Sequence, residues 1–108
     1  MYDKSQLMRG TLEGCILKIL SQNTSYGYEI VTTLLGYGFK DIKEGTIYPL
    51  LVRLEKKGII TSEMRPSPLG PSRKYYSITP DEVEYLNEFK TNWKQISQSV
   101  NQIFDTEV

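Results

Sequence analysis

The chain has 108 residues, 39% hydrophobic and 24% charged, which describes one ordinary globular unit rather than a fibrous or disordered one. Thirteen basic and thirteen acidic side chains cancel, yet residues 40–79 carry a net plus four and residues 80–108 a net minus four, a polarity that suits a region meeting a polyanion. With no histidine, one cysteine, no clustered carboxylates and no phosphate loop, the composition argues against an enzyme, a metal sensor or a cofactor-bearing protein.

The first residues hold no basic stretch followed by an apolar run, so no signal peptide is expected. No apolar run approaches the roughly 18 residues of a membrane span, and a cytoplasmic location is expected. Residues 5–20 read as a first helix, because Leu7, Thr11, Leu12, Cys15, Ile16, Ile19 and Leu20 recur at three- and four-residue steps. Cys15, among aliphatic neighbours, reads as a small buried hydrophobe. A second helix is expected from Ser25, as N-cap, to Leu35, with Tyr28, Val31, Leu34 and Leu35 inward and Gly36 and Gly38 as its stop. A third spans Glu44 to Lys57 with Ile47, Leu50, Leu51 and Leu54 as its buried stripe. Pro49 is tolerated only in a first turn, which places the regular start near a capping Thr46, with Glu44-Gly45 as lead-in.

Ile59–Arg65 and Arg73–Thr79 read as strands, and the Pro/Gly-rich residues 66–72 as a hairpin tip without regular pairing. Tyr75 and Tyr76 fall on opposite faces, one of them inward. Thr79-Pro80-Asp81-Glu82 predicts a capping box opening an unbroken helix to Phe104. On that helix Leu86, Trp93 and Val100 are seven apart, and Phe89, Ile96 and Ile103 follow three residues behind each, an a/d seam. The seam either folds back on its own domain or meets a second copy of the chain. A core complete by Thr79 favours the homodimer.

The expected fold is mainly α with a β-hairpin wing. Residues 1–79 form a winged helix-turn-helix DNA-binding domain, and residues 80–108 a long C-terminal dimerisation helix. In such a motif the second helix enters the major groove. Thr46, Tyr48 and Arg53 are then candidates for base edges or phosphates, and Arg73 and Lys74 beside the tip for phosphates. A winged-helix protein-interaction module without DNA binding is the rival reading. The basic excess over residues 40–79 argues against it.

Tyr26-Gly27-Tyr28-Glu29-Ile30, Glu44-Gly45-Thr46-Ile47-Tyr48-Pro49-Leu50-Leu51, Arg53-Leu54-Glu55-Lys56-Lys57-Gly58-Ile59-Ile60 and Gly70-Pro71-Ser72-Arg73-Lys74-Tyr75-Tyr76-Ser77-Ile78-Thr79 resemble, in order and spacing, the PadR family of transcriptional regulators. The resemblance covers about residues 7–79. It implies a bacterial winged-helix repressor that dimerises through its C-terminal helix, and the 29 residues after Thr79 point to the short subfamily. A two-fold dimer implies an inverted-repeat operator. Some short relatives bind planar aromatic compounds between tryptophans. Trp93 with Met8, Leu12 and Cys15 would therefore line a site for a planar hydrophobic effector, unless Trp93 is a plain core residue. Glu13 or Glu88 would draw a cationic compound there.

Overall fold

A computed structural model describes residues 1–106. The element order is helix α1 (Ser5–Gln22), strand β1 (Ser25–Tyr26), helices α2 (Gly27–Gly36) and α3 (Glu44–Lys56), strands β2 (Ile60–Ser67) and β3 (Gly70–Ile78), a 3₁₀ turn (Pro80–Glu82) and helix α4 (Val83–Phe104). The antiparallel sheet runs β1-β3-β2. Leu12, Ile16, Leu17 and Leu20 of α1 meet Ile30, Val31 and Leu34 of α2 and the expected Ile47, Leu50, Leu51 and Leu54 stripe of α3 in one core, closed by Ile59, Ile60 and Tyr76. Among the described residues no helix is long and apolar enough to cross a membrane.

Two helix ends follow from glycine. Gly38 and Gly58 take φ of 105° and 77°, a left-handed region that side chains resist. Phe39 N–H then bonds back to Leu34 O and Ile59 N–H to Leu54 O, closing Schellman turns after α2 and α3.

Helix starts were less legible. Ser25 is not the N-cap of α2: it is extended and opposite Tyr76, with its hydroxyl donating to Asn23 O at 3.0 Å. Glu29 caps from inside instead, accepting Tyr26 N–H at 3.1 Å. The inward face of α2 is Ile30, Val31 and Leu34, leaving Tyr28 and Leu35 exposed. At 100° per residue Ile30, Val31 and Leu34 cluster on one side, and Tyr28 and Leu35 lie together just past its Val31 edge. Helix α3 begins at Glu44 rather than Thr46. Thr46 serves from inside the first turn, accepting Lys43 N–H at 3.4 Å, and Pro49 sits in the body of the helix on its exposed side.

Hairpin pairing also extends further than expected. Register holds from Ile60↔Ile78 to Arg65↔Arg73, slips at Pro66 and resumes at Ser67↔Gly70, so the tip is only Pro68-Leu69. A bulge absorbs the proline that a regular ladder would reject. The Thr79 capping box does not form. Thr79 Oγ1 donates to Gly58 O at 3.0 Å, tying the end of the wing to the end of α3, and Pro80–Glu82 winds as a 3₁₀ turn before α4.

The core is not complete at Thr79, because Leu86 of α4 joins it. One turn on, Phe89 lies against Gly14 of α1, so close that a Cβ there would be 2.1 Å from the ring. These two members of the expected seam are therefore engaged within the chain. Beyond them Trp93, Ile96, Val100 and Ile103 are exposed.

Candidate nucleic-acid interface

Burial of Ile47, Leu50, Leu51 and Leu54 determines which side chains α3 offers outward. Directly opposite that stripe lie Gly45, Pro49, Val52 and Lys56. Tyr48 and Glu55 flank them toward the wing, and Thr46 and Arg53 flank them toward α1. The outermost surface is thus small and apolar from Gly45 to Val52 and ends on the cation of Lys56. Apolar side chains in a major groove meet thymine methyl groups, and flanking hydroxyls and cations reach base edges or phosphates. Arg53 is not wholly free, since its Nη1 lies 3.3 Å from Glu13 Oε1 on α1.

The wing side is an aromatic–cation cluster. Tyr48 shares a cleft with Tyr26, Tyr28, Arg73, Lys74 and Tyr76. The Arg73 guanidinium stands 4.4 Å over the Tyr26 ring, which packs edge-on to Tyr75 at 5.3 Å. Arg65 lies 4.8 Å over the Tyr75 ring and 2.6 Å from Glu63. Cations over ring faces are held in place without losing their charge. Lys74 lies 5.6 Å over the Tyr76 ring, and its Nζ is also 3.1 Å from Glu55 Oε1, a bond that raises the ammonium above its usual range. Of the tyrosine pair, Tyr76 is the inward one at 2% exposure, and burial pushes its hydroxyl up.

The sequence reading overlooked Tyr26, Tyr28 and Glu55. Tyr26 and Tyr28 were assigned to a helix start and to the core. Their actual placement follows from the two-residue β1, too short to show a period.

A second cavity, of about 320 Å³, lies between α1 and α4, lined by Gly14, Cys15, Lys18, Leu86, Phe89, Lys90 and Trp93 among others. Cys15 and Trp93 thus come together as expected, and burial raises the Cys15 thiol. Met8 and Leu12 do not join them. They line a separate cleft with Thr46 and Pro49, and Leu12 is a core residue. On a helical wheel Met8 and Leu12 are centred roughly a third of a turn from Gly14 and Lys18, so one cavity cannot take both sets. Neither Glu13 nor Glu88 lines the cavity.

Residues 16–88 match the transcriptional regulator PadR-like family. The chain belongs to that family. Its winged helix superimposes on a PadR-like transcriptional regulator of Bacillus cereus with a TM-score of 0.82 and 48% identity, covering 94% of this chain and 99% of that one. A Streptococcus transcriptional regulator gives a TM-score of 0.81 and 48% identity over 93% of this chain and 98% of that one. In sequence, a transcriptional regulator of Mycobacterium tuberculosis is 28% identical over 95 residues, 88% of this chain and 87% of that protein. The protein is therefore a PadR-type transcriptional regulator with a winged-helix DNA-binding fold and a long C-terminal helix.

Proposed function

We propose that this PadR-type regulator is a homodimeric repressor that binds an inverted-repeat operator in double-stranded DNA. In this reading α3 enters the major groove. Thr46 and Tyr48 meet base edges, Pro49 and Val52 meet thymine methyls, Arg53 and Arg73 face phosphates, and Lys74, paired with Glu55, stands beside them. The observation that carries it is the exposed side of α3 bordered by cations stacked on tyrosines toward the tip of the wing. The exposed Trp93–Ile103 stripe supports two-fold pairing through α4. The cavity beside Trp93 supports an effector site. Its lining carries Lys18 and Lys90 and, among the described residues, no carboxylate, so a planar anionic compound suits it better than a cationic one.

The test is fluorescence anisotropy with labelled duplex DNA across a salt series, followed by footprinting of sites selected from random sequence. Affinity is expected to fall steeply with salt, and Arg73→Ala to lower the slope by about one unit, one phosphate contact's worth. Footprints are expected as paired half-sites about 34 Å apart. Binding indifferent to salt, or absent, would overturn the reading in favour of a protein-interaction module.

A further inference from the structure

The wing leaves the hydrophobic core at the Ser62↔Tyr76 rung, and the next rung on the same face is Met64↔Lys74, where Met64 is already exposed. Ser62 and Lys74 are diagonal neighbours on that face, and both reach one carboxylate. Ser62 Oγ donates to Glu55 Oε2 at 2.5 Å, and Lys74 Nζ lies 3.1 Å from Glu55 Oε1. Glu55 belongs to α3, one turn beyond buried Leu51. A single side chain of the reading helix thus joins both strands of the wing just where the core stops holding them. The Ser62 bond, reinforced by Lys74, keeps the Glu55 carboxyl below the usual range, so the tie is charged wherever DNA is bound near neutral pH. The adjacent cation is handled differently. Arg73 rests on the Tyr26 ring and has no carboxylate partner among the described residues.

We propose that Glu55 is a positioning residue that sets specificity: it fixes the wing against the reading helix and cancels the charge of Lys74, so that tight binding requires the docked geometry rather than general attraction to phosphate. The inference rests on the DNA-binding reading above. Sequence-independent affinity grows with each cation free to displace counterions from the duplex. A cation paired within the protein adds little to that sum but still shapes the surface. Glu55 therefore limits non-specific binding while keeping the wing in place.

The probe is a random-sequence duplex, titrated with the full chain between about 50 and 200 mM salt. Glu55→Gln keeps an oxygen for Ser62 and loses the charge. It is expected to bind this duplex several-fold more tightly at low salt, with a slope steeper by about one unit. The double variant Glu55→Gln, Lys74→Met is expected to return the slope to that of the unmodified protein. A normal slope for the unmodified protein with the same or a shallower slope for Glu55→Gln overturns this inference alone. Absence of salt-dependent binding by the unmodified protein overturns the DNA-binding reading and the inference with it. Should Glu55→Gln fail to fold by circular dichroism, acylation of the unmodified protein with an amine-reactive ester decides, read lysine by lysine by mass spectrometry. Lys74 is expected to react more slowly than exposed Lys56 and Lys57, and an equal rate overturns the proposal.

Discussion

Ile16, Leu17, Ile30 and Leu54 in the winged-helix body have no accessible surface, whereas Trp93, Ile96, Val100 and Ile103 on α4 retain 48%, 57%, 44% and 72% of theirs. Both sets are apolar and both lie on helices, so composition does not separate them. The difference lies in what the chain supplies opposite each stripe. In the body, α1, α2, α3 and the sheet face one another and close a core. Along α4 the chain supplies α1 as far as the cavity beside Trp93, and among the described residues Trp93, Ile96, Val100 and Ile103 stay exposed; a contiguous exposed apolar stripe of this kind marks an interaction surface. The body closes on itself, and the outer half of α4 keeps its apolar stripe exposed.

The strongest way to break that comparison is to damage each region and ask what fails. Leu54→Ala leaves a hole in the body and is expected to cost about 2–5 kcal/mol, a large share of the roughly 5–15 kcal/mol by which a domain is stable. Ile96→Glu with Val100→Glu places charges on the α4 stripe and is expected to leave helical circular dichroism intact while reducing the sedimenting mass from dimer to monomer. A monomeric mass for the unmodified protein at micromolar concentration would remove the basis for treating α4 as a dimer surface.

A smaller effect is expected where the two regions touch. Gly14 admits the Phe89 ring because it has no Cβ. Gly14→Ala must push the ring or α4 aside, and overpacking of this kind costs about 1–3 kcal/mol. Adding Phe89→Leu is expected to restore part of the loss, so a double-mutant cycle in thermal melting should show coupling between the two sites. Strict additivity would mean that α4 is not seated on α1 through this contact.

The same comparison marks where the sequence was readable. The α3 stripe, the Gly38 and Gly58 stops, the wing and the heptad spacing were all legible, because each is a local period or a local backbone demand. What escaped were choices made by distant partners. Ser25 caps nothing because β3 pairs with it instead. Pro66 was taken to end the ladder, but a bulge carries the pairing past it. Leu86 and Phe89 fit the heptad as well as Trp93 does, and only the position of α1 separates those that fold back from those that remain exposed. In the candidate interface, Tyr48, Arg73 and Lys74 come together as the pattern implied. Glu55 escaped notice because its value lies in joining two strands that the sequence does not place beside it.

The smallest expected effect concerns the cavity between the two regions, whose floor belongs to α1 and whose far wall is Trp93. Its volume of about 320 Å³ is at the lower end for a small-molecule site. Trp93 and Phe89 offer ring faces, and stacking on them adds about 0.5–1.5 kcal/mol beyond burial. Lys18 and Lys90 add attraction for an anion. Anilinonaphthalene sulfonate and a planar cationic dye of similar size form a matched pair of probes, and Trp93, the only tryptophan in the chain, reports on both by quenching. The sulfonate is expected to quench at lower concentration, and Lys18→Gln with Lys90→Gln to narrow the gap between the dyes. A ligand here shifts DNA affinity only if it binds one arrangement of α4 on α1 better than another. The sulfonate dye is therefore also expected to change operator affinity in proportion to site occupancy. Equal quenching by both dyes would remove the electrostatic argument, and quenching without any change in operator affinity would leave the cavity as packing space between the body and α4.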